Sequence, residues 1–186
     1  TTELPLGSGM GSSASAIAAT LVLFERLLEK PLGIDQRFEM VRFCERLQHG
    51  RGSAIDAAAV TYGGMNHIHH GNVSRLDVSL GDGWYWIFTG KPQVSTGECV
   101  QHVRSRFEDD KPLWNDFSQV TSTLISHLAE PSTVIDCVKE NHRLLCQIGV
   151  VPDSAKALVE RIETSGGAAK ISGAGAHKGI AGGLVL

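Results

Sequence analysis

The stretch PLGSGMGSSASA, Pro5 to Ala16, constrains this chain more than any other. Glycines at 7, 9 and 11 alternate with Ser8 and Met10, and a helical apolar pattern follows at once: Ile17, Leu21, Phe24 and Leu28, widened by Leu23 and Leu27. An extended segment, Thr1–Leu6, must run into this turn, and a helix over Ser13–Lys30 must leave it, stopped by Lys30-Pro31-Leu32-Gly33. Backbone N–H groups in such a turn can approach an anion closely, and the helix start adds a favourable dipole. The P-loop pattern G-x-x-x-x-G-K-[ST] is not met, nor is G-x-G-x-x-G. Two readings stand on the residues alone. One is a tight turn capped by Ser12 or Ser13; the other is an anion site whose serine reaches a phosphate-bound magnesium ion.

The rest of the chain alternates helix and strand signals. Asp35 is the expected N-cap of a helix to Leu47, with Phe38, Val41, Cys44 and Leu47 along one side. A loop and a short helix of small residues occupy His49–Gly64. Strands are expected at Met65–His69, Val73–Val78 and Trp84–Gly90, the last preceded by the Gly81-Asp82-Gly83 turn. Trp84, Trp86 and Phe88 alternate, which predicts one packed sheet face. Ser95-x-x-Glu98 has capping-box spacing and opens a helix to Phe107. Helices over Pro112–Ala129, Pro131–Ile148 and from Asp153, as cap, to Glu163 follow. Strands Ala169–Ser172 and Ile180–Leu186 flank a second glycine loop, GAGAHKG. The order is mixed, so the class is α+β or α/β.

Composition narrows the function. With 42% apolar and 20% charged residues in 186, a sizeable core is supported. A net charge of −3 leaves no general footprint for nucleic acid or an anionic membrane, and no segment is long and apolar enough to span a bilayer. The cysteines at 44, 99, 137 and 146 form no C-x-x-C pair, so reduced thiols in a cytoplasmic protein are expected. His67, His69 and His70 lack a cysteine or carboxylate at ligand spacing and read as exposed strand histidines.

Two acids stand in small or apolar surroundings. Glu45 lies on the second helix, and Asp56 precedes the alanine-rich short helix. Each is a surface charge or a helix cap, or else a buried carboxylate that needs a metal, a lysine or a substrate hydroxyl. FTGKPQVSTGE and KISGAGAHKG set hydroxyls and glycines at strand ends, which suits a polar ligand or serves only as a cap and a hairpin turn.

In combination and order, these stretches resemble the GHMP kinase superfamily, above all its mevalonate kinase branch. PLGSGMGSSASA resembles P-x-G-x-G-L-G-S-S-A, with Met10 in place of leucine. HGRGSAID resembles H-G-x-P-S-G-x-D, with Gly52 and Ala54 as departures. FTGKPQVST resembles T-x-K-P-x-x-S-T. KISGAG resembles K-x-T/S-G-A-G-G-G-G, with Ala176-His177-Lys178 replacing glycines. The resemblance implies a two-lobed α+β fold: an N-terminal lobe like ribosomal protein S5 domain 2, here truncated, over 1–80, and a ferredoxin-like C-terminal lobe over 81–186. It implies an ATP-dependent kinase acting on a small-molecule alcohol such as mevalonate. Gly7, Ser8, Gly9, Met10, Gly11, Ser12 and Ser13 would wrap the ATP phosphates, and Ser13 and Glu45 would hold Mg²⁺. Asp56 would be the catalytic carboxylate, and Ser95, Thr96, Gly173, Ala174 and Gly175 would lie near substrate. Lys178 would touch phosphate or reshape its loop. The family's first motif, with its lysine, has no counterpart here, so the chain is expected to be part of a longer kinase. A homodimer is the expected assembly. Rival readings are phosphomevalonate, sugar or homoserine kinases, diphosphomevalonate decarboxylase, and a metabolite sensor without catalysis.

Overall fold

A computed structural model of the chain describes residues 9–49 and 54–186, without the side chains of Gln48 and His49. The expected strand Thr1–Leu6, loop residues Gly7 and Ser8, and residues 50–53 of the HGRGSAID loop lie outside the described residues. The chain divides into two compact units, Met10–Ser79 and Leu80–Leu186, the latter joined by Gly9.

The first unit packs three helices with a hairpin. Helices α1 (Ser12–Leu27), α2 (Ile34–His49) and α3 (Ala54–Tyr62) precede strands β1 (Met65–His69) and β2 (Asn72–Leu76). Small residues let the helices approach closely: Ala14, Ala54, Ala57 and Ala58 are buried with Phe38 and Val41. Arg37 donates twice to Glu25, at 2.8 and 2.7 Å, tying α2 to α1. β1 and β2 pair antiparallel from Met65↔Leu76 to His69↔Asn72. Their two-residue turn, His70-Gly71, has positive φ at both positions (49° and 80°), as a tight hairpin demands.

Several local expectations change here. Asp35 lies inside the first turn of α2 and accepts from the Tyr62 hydroxyl at 2.9 Å; burial, with Asp35 beside it, pushes Tyr62 up to about 12. Gln36 reaches back instead to the Gly33 N–H at 3.0 Å. Asp56 is likewise inside α3, not ahead of it. The apolar pattern of α1 is only half buried. Ile17 and Leu21 pack on the core, but Leu23, Phe24, Leu27 and Leu28 are exposed, as is Leu47 on α2.

The second unit carries β3 (Ile87–Phe88), α4 (Thr96–Phe107), α5 (Lys111–Ser126), α6 (Pro131–Gln147), α7 (Asp153–Thr164), β4 (Ile171–Ser172) and β5 (Leu184–Val185). The strands form an antiparallel sheet in the order β3-β5-β4, with Val185 opposite both Ile87 and Ile171. The Thr89 hydroxyl donates to Gly183 O at 2.8 Å and accepts from Gly182 N at 3.1 Å, fastening the end of β3 to the run into β5. The core gathers Leu144, Val159, Ile171, Val185 and Cys99. All four cysteines are free thiols.

Several expectations change in this unit: the strands expected at Ala169–Ser172 and Ile180–Leu186 pair only over Ile171–Ser172 and Leu184–Val185. Only Ile87–Phe88 of the stretch 84–90 pairs, and Trp86 and Phe88 are exposed, so the alternating aromatics are not a core face. The reason is length: their partner strand is itself only two residues long. Asp153 is the first residue of α7 rather than its cap, and it pairs with Lys156 at 3.0 Å. Among the described residues no helix is long and apolar enough to cross a membrane.

Candidate functional site

In the first unit, three helix segments bring polar groups to one place. Gly11 precedes α1 in the left-handed conformation (φ 66°), and no side chain caps the helix; neither Ser12 nor Ser13 is a cap. Ser13 instead donates its hydroxyl to Glu45 Oε1 at 2.6 Å. Glu45 is only 6% exposed, the one buried charged residue among the described residues. It faces inward because Phe38, Val41 and Glu45 fall on one face of α2, so a carboxylate occupies a place in the apolar stripe. A buried carboxylate is costly unless it is hydrogen-bonded or met by a cation.

Asp56 comes from the first turn of α3, where the helix dipole favours negative charge. It is half-buried. Its Oδ1 would lie 3.4 Å from a Cβ at Gly11, so the carboxylate stands directly over the glycine turn. Gly11, Ser13, Glu45 and Asp56 are therefore neighbours, although they span 46 positions of sequence. Met10 and Ser12 flank them in the chain.

The second unit holds a separate cavity of about 200 Å³, lined by Gly9, Lys91, Ser95, Thr96, Ser172 and the glycine loop Gly173-Ala174-Gly175, among others. The loop is anchored tightly. Cys99 Sγ donates to Ala174 O at 3.1 Å, and Ala176 N donates to Val150 O at 2.8 Å. A Cβ at Gly175 would stand 2.2 Å from Val150 O, so only glycine fits there. The capping box of α4 is complete. Ser95 Oγ accepts from Glu98 N at 3.2 Å, and Glu98 Oε2 accepts from both Ser95 N and Ser95 Oγ at 2.9 Å. The Ser95 hydroxyl is thus engaged in the cap, although Ser95 lines the cavity with Thr96 and Lys91. The hydrogen bonds from Ser95 hold Glu98 below the usual carboxylate range, helped by the charges of Lys178 and His177. Lys178 is exposed and does not line this cavity.

The residues expected from sequence thus fall into two groups, one in each unit. Gly7 and Ser8 lie outside the described residues. Sequence reasoning missed three contributors: Lys91, Ser172 and Cys99. Lys91 sits inside the quoted FTGKPQVST stretch and was open to notice as a cation beside a proline turn. Cys99 carried no signal, because its role is a contact to a loop 75 positions away.

Residues 1–64 match the family model GHMP kinases N terminal domain. The chain is 29% identical over 190 residues to mevalonate kinase of Pyrococcus abyssi (strain GE5 / Orsay). It is 30% identical over 190 residues to that of Thermococcus onnurineus (strain NA1). Each match takes in 94% of this chain and 55% of the relative, so the chain spans about half the length of the relatives it matches. Among solved structures, the Methanococcus jannaschii mevalonate kinase superimposes over 100% of this chain and 58% of its own, with a TM-score of 0.84 at 20% identity. The L. major mevalonate kinase in complex with R-mevalonate does so over 94% and 55%, with a TM-score of 0.77 at 24% identity.

Proposed function

We propose that this chain, which belongs to the GHMP kinase superfamily, is part of an ATP-dependent kinase that phosphorylates a small alcohol, mevalonate. Residues 1–80 are assigned to the ATP-binding lobe and 81–186 to the C-terminal lobe. The observation that carries the reading is the gathering of the glycine turn, a serine hydroxyl and two carboxylates at Gly11, Ser13, Glu45 and Asp56. A turn that only joined a strand to a helix would need neither carboxylate. A cytoplasmic setting fits the four free thiols.

The donor set fits magnesium. Ser13 and Glu45 offer hard oxygen ligands, and Mg²⁺ is commonly held by one or two protein carboxylates, waters and the phosphates themselves. When bound, the ion would neutralise charge on the phosphate oxygens. The backbone N–H groups of residues 7–13 would cradle the phosphates at the start of α1. The acceptor hydroxyl oxygen attacks the γ-phosphorus, the bond from that phosphorus to the β-bridging oxygen breaks, and ADP leaves. Asp56 orients the hydroxyl and takes its proton. Most of the rate enhancement would come from positioning and charge stabilisation.

The test is to express the full reading frame that carries this sequence and to follow ADP formation against a panel of alcohols that includes mevalonate. Asp56→Asn should lower kcat by about 10²–10⁴-fold, the usual scale for a positioned acid–base group, with little change in KM. Unchanged turnover in that variant removes Asp56 from catalysis. ADP formation accompanied by CO₂ would replace the kinase with a decarboxylase. Tight ATP binding without turnover on any alcohol would leave a sensor.

A further inference from the structure

We propose that the stacked rings of His102 and His177 form a proton-sensitive clamp: while neutral they hold the loop 173–179 against α4, and when protonated they release it. His177 is then a positioning residue, acting through a loop that lines the cavity of the second unit. The clamp rests on its own geometry and not on the kinase reading above. It depends on a departure in the sequence, because His177 stands where the motif that KISGAG resembles carries glycine.

The loop meets the rest of its unit at few points. Ala176 N donates to Val150 O at 2.8 Å, and Cys99 Sγ on α4 donates to Ala174 O at 3.1 Å. Among the described residues, no backbone–backbone hydrogen bond holds 177–179. There the His177 ring lies on that of His102, centroids 4.2 Å apart and planes 9° from parallel. Such stacking suits two neutral imidazoles, whereas two imidazolium rings at that distance repel. His177 Nδ1 is buried with no hydrogen-bond partner, so a proton gained there would be a buried, unpaired charge.

The surrounding charges work in the same direction. Arg106 Nη1 lies 3.5 Å from His102 Nε2. Burial lowers His102, and the charges of His177 and Arg106 add to it. Glu98 faces Lys178 and His177, but its Oε2 already accepts from Ser95 N and Oγ. It can steady one proton on His177; a second, on His102, then meets His177 and Arg106 as cations. Cys99, raised by burial, stays a neutral thiol. A histidine lowered in the closed state holds the clamp above its ordinary value of 6.5 and loosens it as pH falls below that.

Hydrogen exchange read by mass spectrometry tests the clamp on the protein made from the full reading frame. The informative peptide carries Ala176, whose N–H is bonded to Val150 O while the loop is seated. From about pH 7.5 to about pH 5.5, corrected for intrinsic rates, protection in wild type should fall about tenfold further than in H102F/H177F. That double variant keeps two stacked rings with no proton to gain. H177G lacks the ring, so its loop should be less protected than that of wild type already at the higher pH. Equal falls in wild type and H102F/H177F overturn the proposal, and so does an H177G loop as protected as wild type. If one variant does not fold, the comparison of wild type with the other still decides. Exchange needs no turnover, so the result is independent of whether the protein forms ADP.

Discussion

At the scale of single residues, the chain shows how much depends on what a residue lacks. Gly11 leaves room for the Asp56 carboxylate, and Gly175 lets the loop lie against the Val150 carbonyl. Gly175→Ala should destabilise by about 2–4 kcal/mol, because backbone must move and φ is positive there. Urea unfolding measures it; a change under about 0.5 kcal/mol would mean the loop repacks freely. Glu45 makes the complementary point. It is a charge in an apolar stripe, which local propensity does not reward and which a site requires.

At the scale of elements, α4 carries two functions that sequence alone does not separate. Its start holds a cap, Ser95 with Glu98, and a cavity wall, Thr96. Ser95→Ala should cost about 1 kcal/mol of stability, as for other helix caps, and leave acceptor KM nearly unchanged. Thr96→Val should do the reverse, raising KM with little change in melting temperature. Parallel melting and kinetic measurements on the two variants would decide; a KM rise in Ser95→Ala alone would return Ser95 to the ligand. Sequence placed the helices well, because their apolar periodicity and proline starts are local signals. It overextended the strands. Only Ile87–Phe88, Ile171–Ser172 and Leu184–Val185 pair, since strand length is set by partners far along the chain.

At the scale of the whole molecule, pH should tune stability through α6 and α4. Burial pushes His142 below its usual value, with Lys156 and Lys170 acting in the same direction and Glu163 opposing. Its Nδ1 is buried with no hydrogen-bond partner. Burial likewise lowers His102, stacked on His177 with ring centroids 4.2 Å apart, and the charges of His177 and Arg106 add to it. A histidine whose folded pKa is depressed binds protons more readily when unfolded. Stability is therefore full above the unfolded value near 6.5 and falls as pH drops below it towards the folded value. Melting temperature should decline between pH 7 and 5, and His142→Gln should flatten that decline. An unchanged slope would show that His142 titrates alike in both states.

The sequence by itself determined the mixed α and β class, the order of helices, the capping box, and the stretches that align with GHMP kinases. Each rests on neighbours within a few positions, through helical periodicity, turn-forming residues or short motifs. Only the tertiary structure decided that Ser13 meets Glu45, that Asp56 stands over Gly11, and that Lys91 lines a cavity with the 173–175 loop. Those are long-range contacts. Their energies come from burial and hydrogen bonding between distant segments, which local pattern does not encode. The exposed half of α1 gives the same lesson in reverse. An apolar stripe predicts a face able to pack, and packing of the whole decides how much of it is covered.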